Sequence, residues 1–170
     1  TDTDAPNFAG GAIAVTLTGY QPGDVLSVNN QGTGSGQISV NGSAISYNPG
    51  TGPVVIASTT GGTTGFLTVN LNANATPTAV QALMGQLRYL STSDDPTSGG
   101  TVTTRTVTVV LNDGGNTGSA LTATKSGTIT VTALNDAPTL AANSSNPTFT
   151  EASGLGTQTA PVSVFSGANV

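Results

Sequence analysis

Apolar and polar residues alternate one by one through segment after segment of this chain. Ala12 to Thr18 reads A-I-A-V-T-L-T, with Ile13, Val15 and Leu17 on one side and Ala14, Thr16 and Thr18 on the other. A period of two belongs to an extended backbone with one face buried. Phe66 to Leu71 repeats the pattern through Leu67, Val69 and Leu71. Val102 to Leu111 is the longest such run and puts Arg105, Val107, Val109 and Leu111 on one side. A last strand is expected from Ser126 to Leu134, with Ile129, Val131 and Ala133 inward.

Turn chemistry separates these runs. Tyr20 to Asp24 (Y-Q-P-G-D) is a Pro-Gly turn, and Asn112 to Gly118 (N-D-G-G-N-T-G) is a hairpin turn. Asn41-Gly42, between strands at Gln37 to Val40 and Ala44 to Tyr47, is the strongest short hairpin signal. Shorter strands are expected at Val25 to Val28, Pro53 to Ala57 and Arg88 to Ser91. Strands about ten residues apart with Gly, Asn and Asp turns predict an all-β, Greek-key immunoglobulin-like sandwich. One segment breaks the rule. Thr76 can cap a helix, Pro77 suits its first position, and Val80, Leu83, Met84 and Leu87 recur at helical spacing. This predicts one short helix, about 77–87.

The charge pattern narrows the chemistry. The 170 residues include 3 Lys+Arg, 8 Asp+Glu, and neither His nor Cys. Three basic residues cannot neutralise a nucleic-acid backbone, so no nucleic-acid partner is expected. No apolar run approaches the ~20 residues of a membrane span, so no membrane insertion is expected. Without His or Cys there is no Ser-His-Asp set, no Cys-His set and no thiolate metal site, and an enzyme is not expected. Gly32 to Gly36 (G-T-G-S-G) is followed by no Lys and opens no helix, which argues against a phosphate cradle. Tyr20, Tyr47 and Tyr89 are scattered and read as core or rim.

A stiff joint lies near residue 135. The stretch V-T-A-L-N-D-A-P-T-L, Val131 to Leu140, ends one alternation and starts another. Pro138 fixes its own φ and holds the residue before it extended. The predicted organisation is a sandwich over residues 1–134, a rigid linker at 135–138 and a further strand-forming segment at 139–170. The linker resembles that of cadherin-like tandem repeats in large bacterial surface adhesins, where an Asn-Asp-Ala-Pro linker binds calcium. That resemblance implies an extracellular, cell-surface structural repeat with calcium at its junctions. It implies as ligands Glu151 after the first strand, Asp94 and Asp95 in the loop before the long strand, Asn135 and Asp136 in the linker, and the D-x-D pair Asp2 and Asp4. The loop carrying Asp94 and Asp95 reads S-D-D-P and departs from the family's Asp-Arg-Glu type of motif. Calcium takes six to eight hard oxygens, which suits these residue types. Asp24 and Asp113, in Gly-rich turns, are expected only to bond the backbone.

The end S-G-A-N-V reads continuously into the beginning T-D-T-D-A-P-N-F, as though one repeat had been cut in its middle. On that reading residues 1–134 lack a first strand and expose a sheet edge. Residues 139–170 carry Leu140, Phe149, Val162, Val164 and Phe165 with nothing of their own to bury them. Extended pieces are expected around Pro147 to Thr150 and Ala160 to Phe165. Strand donation into a neighbouring copy would remove both defects and build a head-to-tail filament. Folding back on the same chain, or membership of a longer natural chain, are the other solutions. The competing function is a lectin-like module that binds a glycan or a host surface.

Overall fold

A computed structural model of the chain describes residues 6–115, 118–134, 140–154, 156 and 160–169. The chain separates into two compact units, Thr1–Ala133 and Leu134–Val170.

The first unit runs β1 (Ala12–Thr18), β2 (Asp24–Val28), β3 (Ile38–Asn41), β4 (Ala44–Tyr47), β5 (Val54–Gly61), β6 (Phe66–Leu71), α1 (Pro77–Met84), β7 (Leu87–Ser91), β8 (Thr104–Asn112) and β9 (Thr122–Thr130). Seven strands form one sheet in the order β3-β4-β5-β6-β1-β8-β9, and β2 pairs with β7 as a separate ribbon. All of these pairings are antiparallel. The fold is therefore all-β and layered, with one short helix among the described residues. Its layers are unequal, seven strands against two.

The core lies between those layers. Ile13, Val15 and Leu17 of β1 and Leu67, Val69 and Leu71 of β6 alternate inward and are buried, as the sequence predicts. Leu26 of β2 and Ala79, Val80 and Leu83 of α1 cover them from the other side. Burying each such aliphatic side chain contributes about 1.5–3 kcal/mol relative to leaving it in water. The ribbon is tied down at Gly62, whose carbonyl accepts the Leu26 N–H at 2.7 Å. Gly62 has φ +111, and a Cβ there would lie 2.5 Å from the Leu26 carbonyl oxygen. Only glycine lets the layers meet so closely at this point.

Several boundaries differ from the sequence expectation. The helix starts as predicted, with Thr76 accepting the Ala79 N–H at 3.3 Å and Pro77 at its first position, but it stops at Met84. Gly85 ends it and Leu87 begins β7 instead of extending the helix. The β3–β4 hairpin turns on Gly42-Ser43, one residue later than the predicted Asn41-Gly42, because Asn41 pairs with Ala44. Gly42 takes the positive φ, +58, at the first turn position, where glycine carries no steric cost. The last strand runs 122–130 rather than 126–134, since β8 pairs with it from Asn112↔Thr122 to Thr104↔Thr130.

The second unit contains β10 (Ala141–Ser144) and β11 (Phe165–Asn169), paired antiparallel. The strands predicted around 147–150 and 160–165 are displaced to these positions. Ser145 continues the ladder, its N–H reaching the Val164 carbonyl at 3.2 Å. Leu140, Phe149, Val162, Val164 and Phe165 are exposed, Phe149 to 51%. Among the described residues no helix is long and apolar enough to cross a membrane.

Candidate functional site

The β2–β7 ribbon is too narrow to cover the sheet beneath it. Where it stops, a groove of about 160 Å³ opens within the first unit, lined by Val15, Leu26, Leu87, Arg88, Tyr89, Val107, Val109 and Ile129. Val15 and the β8 and β9 residues form its floor, and β7 forms its wall. Along β8 the inward residues Val107, Val109 and Leu111 are only half-buried. On β9 they face Gly127, Lys125 and Ala123, and every described side chain of β9 except Ile129 is exposed.

The wall presents unpaired backbone. Asn29 donates to the Gln86 carbonyl and Thr92 to the Gly23 carbonyl, both at 2.8 Å, which sets the bonding parity of the β2–β7 ladder. In an antiparallel pair residues alternate between facing the partner strand and facing away. Arg88 and Leu90 therefore bond toward β2, while the N–H and C=O of Leu87, Tyr89 and Ser91 point to the other edge. Among the described residues no strand lies on that side of β7. Arg88 guards one end of the edge, donating through Nη1 to the carbonyls of Leu87 at 2.9 Å and Gly85 at 2.8 Å. The edge at Tyr89 and Ser91 carries no such guard.

A buried charge cluster links β2, β7 and β8 at one end of the groove. Asp24, at the start of β2, accepts Nε of Arg105 on β8 at 2.5 Å, and both side chains are fully buried. Asp24 also accepts the Tyr89 hydroxyl at 2.7 Å and the Gln21 N–H at 2.8 Å. Arg105 spends its remaining donors on the carbonyls of Pro96, Val102 and Thr104. Every charge is met, as a buried pair requires. Burial pushes the Asp24 carboxyl up, but Arg105, the Gln21 N–H and the Tyr89 hydroxyl outweigh it and hold it below the ordinary aspartate value. The Asp24 carboxylate in turn raises Arg105. Tyr89 is pushed up to about 12, first by burial and then by its bond to Asp24. The sequence reading gave Asp24 only a backbone bond in its turn and missed this pairing across 81 residues. The available signal was an arginine in the inward register of an apolar strand.

The predicted calcium ligands fall in three places. Asp2, Asp4, Asn135 and Asp136 lie outside the described residues. Asp94 and Asp95 are exposed on the loop before β8, and Glu151 is exposed in the second unit. Asp95 turns both oxygens onto its own loop: Oδ1 accepts the Thr97 N–H at 3.1 Å and hydroxyl at 3.0 Å, and Oδ2 accepts the Gly99 N–H at 2.6 Å. Those bonds, Gly99 first, hold its carboxyl below the ordinary value. Among the described residues no three acidic side chains come together as a metal-ion cluster. Asp113 does what its turn predicts, accepting the N–H groups of Gly115 and Leu121, both at 2.9 Å.

Compared with known proteins, the chain matches no family model, no curated protein and no solved structure.

Proposed function

We propose that this chain is a structural β-module of an extracellular adhesin or filament, related to cadherin-like repeats, which completes itself by accepting a strand from a neighbouring copy. One observation carries the reading. An apolar groove floored by Val107, Val109 and Ile129 runs beside the unpaired edge of β7. A strand added to that edge gains backbone hydrogen bonds from Tyr89 and Ser91 and covers apolar surface that the ribbon leaves wet. The exposed apolar residues of 140–165 supply matching strand chemistry. A donor taken from one copy and an acceptor on the next make a heterologous contact, which propagates head to tail.

Calcium belongs to the same proposal. Asp94, Asp95 and Glu151 offer hard oxygens in a chain without His or Cys, the donor chemistry calcium takes. Bound at the joints, it would stiffen successive modules.

Sedimentation of the full chain across a concentration series, with calcium and with chelator, tests the reading. Mass rising with concentration through dimer and longer species is expected, and calcium should strengthen it. A folded monomer at every concentration in both conditions would refute strand exchange.

A further inference from the structure

We infer that β9 is a self-pairing edge: two copies of this chain join β9 to β9 across a two-fold axis at Ser126, and their sheets become one. The contact is isologous and closes after two copies, so it is separate from the head-to-tail exchange. The argument starts from how the two edges of the seven-stranded sheet are finished. At the β3 edge, Asn48 donates to the Gln37 carbonyl at 3.1 Å, which turns the backbone groups of Ile38 and Val40 outward. The preceding loop meets them. The Ile38 N–H reaches Gln31 Oε1 at 3.0 Å, and the Val40 N–H reaches Asn30 Oδ1 at 3.3 Å. The Ile38 carbonyl accepts the Gln31 N–H at 2.8 Å. That edge is closed to a further strand.

The β9 edge is bare. Val131 donates to the Thr103 carbonyl at 2.8 Å and Asp113 to the Leu121 carbonyl at 3.1 Å. The odd-numbered residues of β9 therefore bond toward β8, while Thr122, Thr124, Ser126, Thr128 and Thr130 turn their N–H and C=O groups away. Among the described residues no strand lies there, and no side chain caps those groups as Asn30 and Gln31 cap β3. What fits this edge is written in its sequence. T-A-T-K-S-G-T-I-T places hydroxyl residues symmetrically about Ser126. On a two-fold at Ser126, Thr122 faces Thr130 of the second copy and Thr124 faces Thr128. A hydroxyl both donates and accepts, so like faces like without conflict. Ala123 meets Ile129, and Lys125 meets Gly127, which has no side chain to obstruct it. Moving the axis to Lys125 would set that lysine against itself, which is destabilising. Moving it to Gly127 shortens the ladder. β9 holds no acidic residue, so two chains of net charge −5 meet along a strand free of negative charge.

The native chain contains no cysteine, so an introduced thiol reports on one place. In the inferred register the two Ser126 Cα atoms lie about 5.5 Å apart, within the span of a disulfide. Under mild oxidation Ser126→Cys is expected to form a covalent dimer. Thr122→Cys, whose two copies lie at opposite ends of the ladder, is expected not to, and Thr122→Cys/Thr130→Cys is expected to crosslink again. Thr128→Pro removes an outward N–H without touching a bond to β8, and should weaken dimerisation about tenfold or more because both copies lose it. If Thr128→Pro fails to fold, the cysteine comparison decides. Crosslinking of Ser126→Cys no greater than that of Thr122→Cys overturns the inference, and mass that still rises with concentration would then leave strand exchange standing. Crosslinking at Ser126 in a chain whose mass stops at the dimer supports β9 pairing and refutes the head-to-tail filament.

Discussion

Within the seven-stranded sheet, β1 and β6 on one hand and β8 on the other carry the same sequence signature and meet different fates. In β1 and β6 the inward residues are sealed: Ile13 and Val69 are 0% exposed. In β8 the same alternation leaves Val107, Val109 and Leu111 half-buried, and β9, whose inward positions are Ala123, Lys125, Gly127 and Ile129, lies almost wholly in water. The difference is coverage. The β2–β7 ribbon and α1 lie over the first half, and the ribbon ends before it reaches β9. Alternation tells which face of a strand is apolar. It does not tell whether another layer covers that face.

Arg105 marks the boundary between the halves, and removing it should have the largest effect. Arg105→Met leaves the Asp24 carboxylate buried without its partner and strands the carbonyls it now satisfies. The expected loss is about 3–5 kcal/mol, read from chemical denaturation. A smaller loss would mean that water reaches Asp24 from the groove.

Paired truncations measure the contrast itself. Ile13→Ala in the sealed half should cost about 3 kcal/mol, as filled core sites do. Val109→Ala in the open half should cost about 1 kcal/mol in the monomer, because the side chain is already partly solvated. Equal costs would break the comparison and show that the groove closes in solution.

The pH dependence should be the mildest effect, and it follows from the shared cluster. Asp24 is held below its ordinary value, so its contribution is present above 3.8 and fades as pH falls through the depressed value. Tyr89 is raised from 10.0 to about 12, so its contribution is present below 10.0 and fades as pH rises toward 12. Denaturation midpoints should stay level through neutral pH and fall on the alkaline side over that window. Tyr89→Phe should flatten that alkaline fall, with the tyrosinate absorbance showing one fewer late-titrating tyrosine.

Much of the fold was legible locally. The limits of β1 and β6 match the alternation residue for residue, and Thr76-Pro77 announces the start of α1. The end of α1 was not, because Leu87 continues the helical spacing while Gly85 interrupts the backbone. The candidate site was less legible still. Val107 and Val109 read as ordinary core, and nothing near them in the chain says that β7 is an edge. The acidic residues that drew attention by composition are dispersed on loops where they are described. Asp24, set aside as a turn residue, is the buried acid among the described residues.

What the residues determined by themselves is therefore period, face and turn: an all-β chain, one short helix among the described residues, and an acidic composition poor in charge. These follow from interactions within a few positions along the backbone. The tertiary structure alone decided which strands are neighbours, that Arg105 finds Asp24 and Tyr89, and that a two-stranded layer leaves part of a seven-stranded one bare. Pairing and coverage depend on contacts between residues tens of positions apart. Their free energy is set by what happens to lie opposite, and no local period encodes that.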